Sequence, residues 1–240
     1  MSKILAAMQR RSGNVIDFAY NLETIDSGGH FPVPAAEQMA EFERLANTLI
    51  NLHTGAKGVS VTFAATVSGE GSSFVSYNVA RHLSLMLNKR VVWVDANFQS
   101  PAVHSVNESA DFRTLLEEPA EADCLMAGRQ FVVLPNGSRS LKQTDFLVGE
   151  NYRDLLDRLS NQFSFCIVDA PPISASIDVG HLARPTLGAV VVIEARRLRH
   201  EVVRNGINNL RSQGVNVLGT VLNRQVFDIP AFLYNRMQSL

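Results

Sequence analysis

Three short stretches hold the residue types that could do chemistry. The first is Ser68-Gly69-Glu70-Gly71-Ser72-Ser73, between an apolar run at 58–64 and a helical-looking stretch. Glycines let successive backbone N–H groups turn to one side, and a following helix adds the positive end of its dipole, so an anion is welcome there. Where a phosphate-cradling loop of this kind carries lysine, the chain carries Ser72. The second stretch is "VVWVDAN", ending in Asp95 with Asn97 two residues on, and the third is "FCIVDAPP", with Asp169. An aspartate closing an apolar strand can hold Mg²⁺, directly or through water, beside a phosphate. Each stretch also has a plain reading: the loop as a tight turn, either aspartate as a helix cap or turn former. Taken in order, the three make one layout for magnesium and a nucleotide.

The elements that must position these residues alternate along the chain. "GVSVTFAAT", "RVVWVDAN", "QFVVLP", "SFCIVDAPP", "GAVVVIEA" and "VNVLGTVLNR" read as strands. Between them "SFVSYNVARHLSLMLN", "DFRTLLEE", "GENYRDLLDRLSNQF", "SIDVGHLARP" and "RHEVVRNGINNLRSQG" read as helices. Nearly continuous Val/Ile/Leu runs alternating with helices predict an α/β fold, a doubly wound and mostly parallel sheet covered on both faces. About seven or eight strands are expected, with ligands beyond their carboxyl ends. Residues 1–33 read as a short helix bearing Ile4, Leu5 and Met8 on one side, then a Gly- and Pro-punctuated linker. Residues 34–224 form the α/β domain, with a helix over 34–53 packed alongside through Met39, Phe42, Leu45, Ala46 and Leu49. Residues 225–240 are a tail without clear period.

Composition narrows the function classes. With 46% hydrophobic and 19% charged residues among 240, the chain is an ordinary globular one. A formal net charge of −1 gives no bulk argument for nucleic-acid binding. Cys124 and Cys166 are too few and too far apart for a disulfide framework or a zinc site and read as buried thiols. His104 and His181 lack metal-ligand spacing and read as structural. No stretch approaches the roughly 18 apolar residues of a membrane span, and the N-terminus lacks a signal-peptide core, so a cytoplasmic location is expected.

These motifs, in this order, resemble the bacterial tyrosine kinases (BY-kinases) of capsule and exopolysaccharide synthesis. That family is a branch of the chromosome-partitioning and division-site P-loop ATPases, with a deviant Walker A motif. Its Walker A, roughly S-x-x-P-G-E-G-K-[ST], matches "ATVSGEGSS"; its Walker A′ strand ending in D-x-D matches "VVWVDAN"; its Walker B, I-I-D-x-P-P, matches "CIVDAPP". "ASIDVGHLARPTLGAVVVIEARR" and "QGVNVLGTVLNR" are similar to its later core, and "EFERLANTLI" resembles its ring-forming E-x-x-R-x-x-R helix. The resemblance covers about residues 41–224. It implies ATP or ADP with Mg²⁺, held by Ser68, Gly69, Glu70, Gly71, Ser72, Ser73 and Phe74, with Asn223 facing the adenine and Arg224 beside it. Ser73, Asp95 and Asp169 would ligate the metal, and Asp95 and Asp169 would carry any catalysis. The implied role is assembly or export of a surface polysaccharide, through docking on the cytoplasmic side of a membrane co-polymerase. The implied location is thus cytoplasmic, peripheral at the inner membrane through that partner, and self-association is a further expectation.

Departures from the family pattern bear on chemistry. Ser72 replaces the lysine whose ammonium spans the outer phosphates, a charged hydrogen bond worth roughly 1.5–3 kcal/mol. Lys57 precedes a strand and Lys89 follows a helix, so neither compensates. Asn97 replaces a carboxylate, and Asn47 replaces the second arginine of the ring-forming helix. Tyr234 alone follows Arg224, where active members carry a tyrosine cluster. The expected protein is therefore a catalytically impaired BY-kinase relative. An active autokinase and a positioning ATPase are the alternatives. The run Arg196, Arg197, Arg199, His200 and Arg204 begins at a strand's carboxyl end, where an arginine could stand in for the lysine. A solvated helix start is its plain reading.

Overall fold

Each of the six Val- and Ile-rich runs becomes one strand. In the computed structural model, which describes residues 31, 34, 36–52, 55, 57–103, 111–124, 130–137, 147 and 150–225, helix α1 (Ala36–Leu52) leads into β1 (Val59–Ala65) and α2 (Ser72–Leu87). There follow β2 (Val91–Asp95), α3 (Phe112–Glu117), a 3₁₀ turn (Pro119–Cys124), β3 (Phe131–Leu134), α4 (Glu150–Gln162) and β4 (Phe165–Asp169). The described chain closes with α5 (Asp178–Ala183), β5 (Ala189–Glu194), α6 (His200–Ser212) and β6 (Val217–Asn223). The opening helix, the linker apart from Phe31, His104, the Cys124 side chain and the tail beyond Gln225, with Tyr234, lie outside the described residues.

All described pairings are parallel, in the order β3-β2-β4-β1-β5-β6. The sheet thus has six described strands rather than seven or eight. No other described stretch carries a run of β-branched residues long enough to make another.

Alternate residues of each strand supply two cores, as the two-residue period of a strand requires. Val61, Phe63, Val91, Trp93, Phe165 and Ile167 pack beneath α2 and α1. Val92, Val94, Cys166, Val168 and Val191 pack against α3, α4 and α5. Helix α1 is fastened by Phe42, Ala46 and Leu49, all buried, with the Phe42 ring edge-on to Phe74 at 5.8 Å. In α4, Tyr152, Leu155, Leu156 and Leu159 make the inward stripe.

Strand order places the three chemical stretches together. β1 lies between β4 and β5, while the chain after β1 crosses to β2. Asp95 on β2 is the register partner of Asp169 on β4, and Phe63 on β1 is its partner on the other side. All three strands therefore end at one crevice, where ligands of open parallel sheets bind.

Candidate phosphate-binding site

The loop after β1 is shaped by its own acid. Glu70 is fully buried, and its carboxylate accepts the Val67 N–H at 2.8 Å and the Glu194 N–H at 3.1 Å. It thereby fastens the loop to the end of β5, and its side chain is spent on backbone. Gly69 and Gly71 have φ of 86° and 88°, a left-handed conformation in which side chains are strained. A Cβ on Gly71 would also run into the Asn223 amide. Helix α2 then starts with no side-chain cap, leaving its first-turn N–H groups to whatever lies in front of them.

Ser72 is buried at the first position of α2, and its hydroxyl donates to Asp169 Oδ1 at 3.1 Å. Asp169 Oδ2 is buried without a hydrogen-bond partner. Burial, and secondarily the neighbouring Asp95, push the Asp169 carboxyl up to about 8, while the nearby hydroxyls of Ser73, Ser72 and Ser76 pull the other way. Burial therefore favours the neutral form of this carboxyl. Thr66, at the loop's start, has a second buried oxygen without a partner.

Asp95 takes the other role open to an aspartate at a strand end. Oδ1 accepts the Asn97 N–H at 3.1 Å, and Oδ2 accepts the Ala102 and Val103 N–H groups at 2.6 and 2.9 Å. It organises the turn after β2, and Asn97 extends that turn by accepting the Ser100 N–H at 3.2 Å. Among the described residues no group of three or more His, Cys, Asp or Glu could hold a metal ion. Of the expected magnesium trio of Ser73, Asp95 and Asp169, Asp95 already accepts three backbone N–H groups and Asp169 accepts the Ser72 hydroxyl.

Phe74, in the first turn of α2, faces Phe42 of α1. Asn223 and Arg224 do reach the loop, but at its backbone. Asn223 Nδ2 donates to the Glu70 carbonyl at 2.8 Å, and Arg224 donates to the Gly69 carbonyl at 3.2 Å. Arg197 donates to the Ser68 carbonyl at 2.8 Å. Glu194 bridges the two guanidiniums, at 3.0 Å from Arg197 and 3.2 Å from Arg224, and they hold its carboxyl below the usual range. Of the basic run, Arg199, His200 and Arg204 are exposed. Sequence reasoning flagged that run but not Glu194, which carries no local signal. The chain's four lysines are Lys3, Lys57, Lys89 and Lys142. Lys57 precedes β1 and Lys89 precedes β2, both at the amino end of the sheet, away from the loop.

No family model matches the chain. Among curated proteins it is similar to the tyrosine-protein kinase CpsD of Streptococcus pneumoniae, 26% identical over 175 residues, covering 70% of this chain and 76% of that protein. The crystal structure of the chimerical protein CapA2B2 superimposes with a TM-score of 0.67 at 20% identity, covering 78% of this chain and 84% of that one. A ParA family ATPase from Chlorobium tepidum superimposes with a TM-score of 0.53 at 14% identity, covering 69% and 74%. No described helix is long and apolar enough to cross a membrane. By sequence the chain is similar to bacterial tyrosine kinases, and its parallel α/β fold is similar to those of CapA2B2 and of ParA-type ATPases.

Proposed function

We propose that this chain is a catalytically impaired relative of the bacterial tyrosine kinases. It regulates the making or export of a capsule or exopolysaccharide by docking, on the cytoplasmic side, to a membrane co-polymerase partner. The observation that carries the reading is the Ser72–Asp169 hydrogen bond. It occupies the position from which a lysine would reach the outer phosphates, and it leaves no ammonium there. Positive charge placed against the transferring phosphoryl group is the main thing a protein contributes to phosphoryl transfer. The acceptor side agrees: among the described residues the tyrosines are Tyr77 and Tyr152, both buried. The relatives' kinase names support the pathway, and the loop supports nucleotide as an allosteric ligand rather than a substrate.

Incubation of the purified protein with Mg²⁺-ATP followed by phosphotyrosine detection tests this. No signal is expected. Clear autophosphorylation that Asp169→Ala abolishes would establish an active autokinase instead. Arg197 and Arg224 are the observation that would favour that second reading, as cations already at the loop.

A further inference from the structure

The two edges of the described sheet are finished differently. β3 is four residues long and alternates between half-buried and buried, so little of its edge is open. β6 runs seven residues from Val217 to Asn223, and none of them is fully buried. The Asn223 carbonyl accepts the Ala195 N–H at 2.9 Å. In a parallel pair alternate residues turn both peptide groups to the neighbour, so Gly219, Val221 and Asn223 face β5, while Thr220 and Leu222 face outward. No described strand lies beyond them.

Open edges are commonly blunted by charge, by proline or by brevity. The run from Val217 to Asn223 has none of these, and its one register shift lies opposite Ala189 and Val190, far from Leu222. Leu222 is 52% exposed, and a Cβ placed on Gly219 would meet nothing within 4 Å. An uncharged, apolar edge of this length is a template for another strand.

The chain itself supplies an occupant. Arg224, the first residue past β6, has φ of 53°, a left-handed conformation that a side chain adopts at a cost. Its N–H donates to Asn223 Oδ1 at 2.9 Å. The polypeptide thus leaves the strand direction where β6 ends. Retracing β6 takes about seven extended residues, and the segment 226–240, outside the described residues, is about twice that long. Val226, Phe227, Ile229, Phe232, Leu233 and Tyr234 make that segment apolar and aromatic, and Asp228 and Arg236 are its only charges. Pro230 suits an outermost strand, where a missing N–H blunts further pairing.

We propose that segment 226–240 folds back antiparallel along β6 of its own chain. Its backbone pairs with the outward groups of Thr220 and Leu222, and its apolar side chains cover Leu222 and the open space over Gly219. The edge is thereby closed within one molecule and withheld from a second copy. The proposal stands whether or not the loop after β1 holds a ligand.

Residue-resolved hydrogen exchange on the full chain, with sedimentation velocity over a range of concentrations, tests it. The Thr220 and Leu222 amides should exchange at least about tenfold more slowly than an open peptide, in a monomer. Phe227→Asp combined with Ile229→Asp puts two carboxylates on the cover and should return both amides to near the open rate. The Val221 amide, which faces β5, should keep its protection, and so separates loss of the cover from loss of the fold. Fast exchange at Thr220 and Leu222 in the wild type overturns the proposal. Slow exchange that the double substitution leaves unchanged overturns it too, because something other than this segment then covers the edge. Protection that grows with protein concentration, alongside a sedimenting dimer, overturns it in favour of a second copy on β6.

Discussion

The two flanks of the phosphate loop are built on opposite principles. On the β5–β6 flank, Glu194, Arg197, Asn223 and Arg224 are exposed or half-buried; Arg197, Arg224 and Asn223 donate to the Ser68, Gly69 and Glu70 carbonyls, and Glu194 pairs with the two arginines. On the β4 flank, Ser72 and Asp169 are buried, and the Asp169 carboxyl meets the Ser72 hydroxyl rather than an ammonium. The contrast teaches that binding shape and chemical drive are separable in this fold. Backbone geometry is held from one side, and the charge that turns geometry into phosphoryl transfer belongs to the other. On the proposed reading, loss of the second leaves the first standing.

Substitutions on each flank sharpen the contrast. The largest expected effect is at Asp169. Its folded-state value of about 8 lies above the 3.8 of an ordinary carboxyl, so the native state keeps a proton that the unfolded chain has lost. Stability from this group is therefore full below about pH 4 and is lost as pH rises to about 8, a change on the order of 5 kcal/mol. Asp169→Asn removes that loss, so urea melts of variant and wild type should diverge steadily between pH 4 and 8. Parallel profiles would mean the carboxyl is ionised and compensated.

Next in size is Glu70. Glu70→Ala leaves the Val67 and Glu194 N–H groups without their partner, which should cost roughly 2–4 kcal/mol in thermal or urea unfolding. A loss below about 1 kcal/mol would mean that water or the neighbouring chain replaces it. Smaller still is Arg224→Ala. Its ion pair with Glu194 is exposed and screened by solvent, so unfolding should barely move while ligand affinity falls. A change confined to stability would break the distinction between the flanks. Away from the loop, burial pushes the Cys166 thiol up to about 12, so iodoacetamide at pH 8 should leave it unlabelled by mass spectrometry in the folded protein.

The strands were legible because a parallel sheet buried on both faces demands uninterrupted runs such as "VVWV" and "AVVVI". Their carboxyl-end aspartates were legible too, and so was the loop. The division of labour between the aspartates was not. A strand-end aspartate serves equally as turn former or ligand, and only the Ala102 and Val103 N–H groups decide it for Asp95. The arginine flank was hidden for a different reason. Arg197 meets Ser68 across 129 residues of chain, a proximity created by β5 lying beside β1 rather than by any local pattern. The basic run pointed to the neighbourhood, and strand order selected the residue. The expected strand count failed against six described runs that each formed one strand.

The central claim is that the loop can hold phosphate while lacking the cation that would grip the outermost one. Titration of wild type and Ser72→Lys with ADP and ATP in the presence of Mg²⁺ tests it directly. The wild type should bind ATP no more tightly than ADP and leave it intact, while Ser72→Lys should gain about ten- to hundredfold for ATP over ADP. A wild type that prefers ATP about tenfold and hydrolyses it would contradict the account.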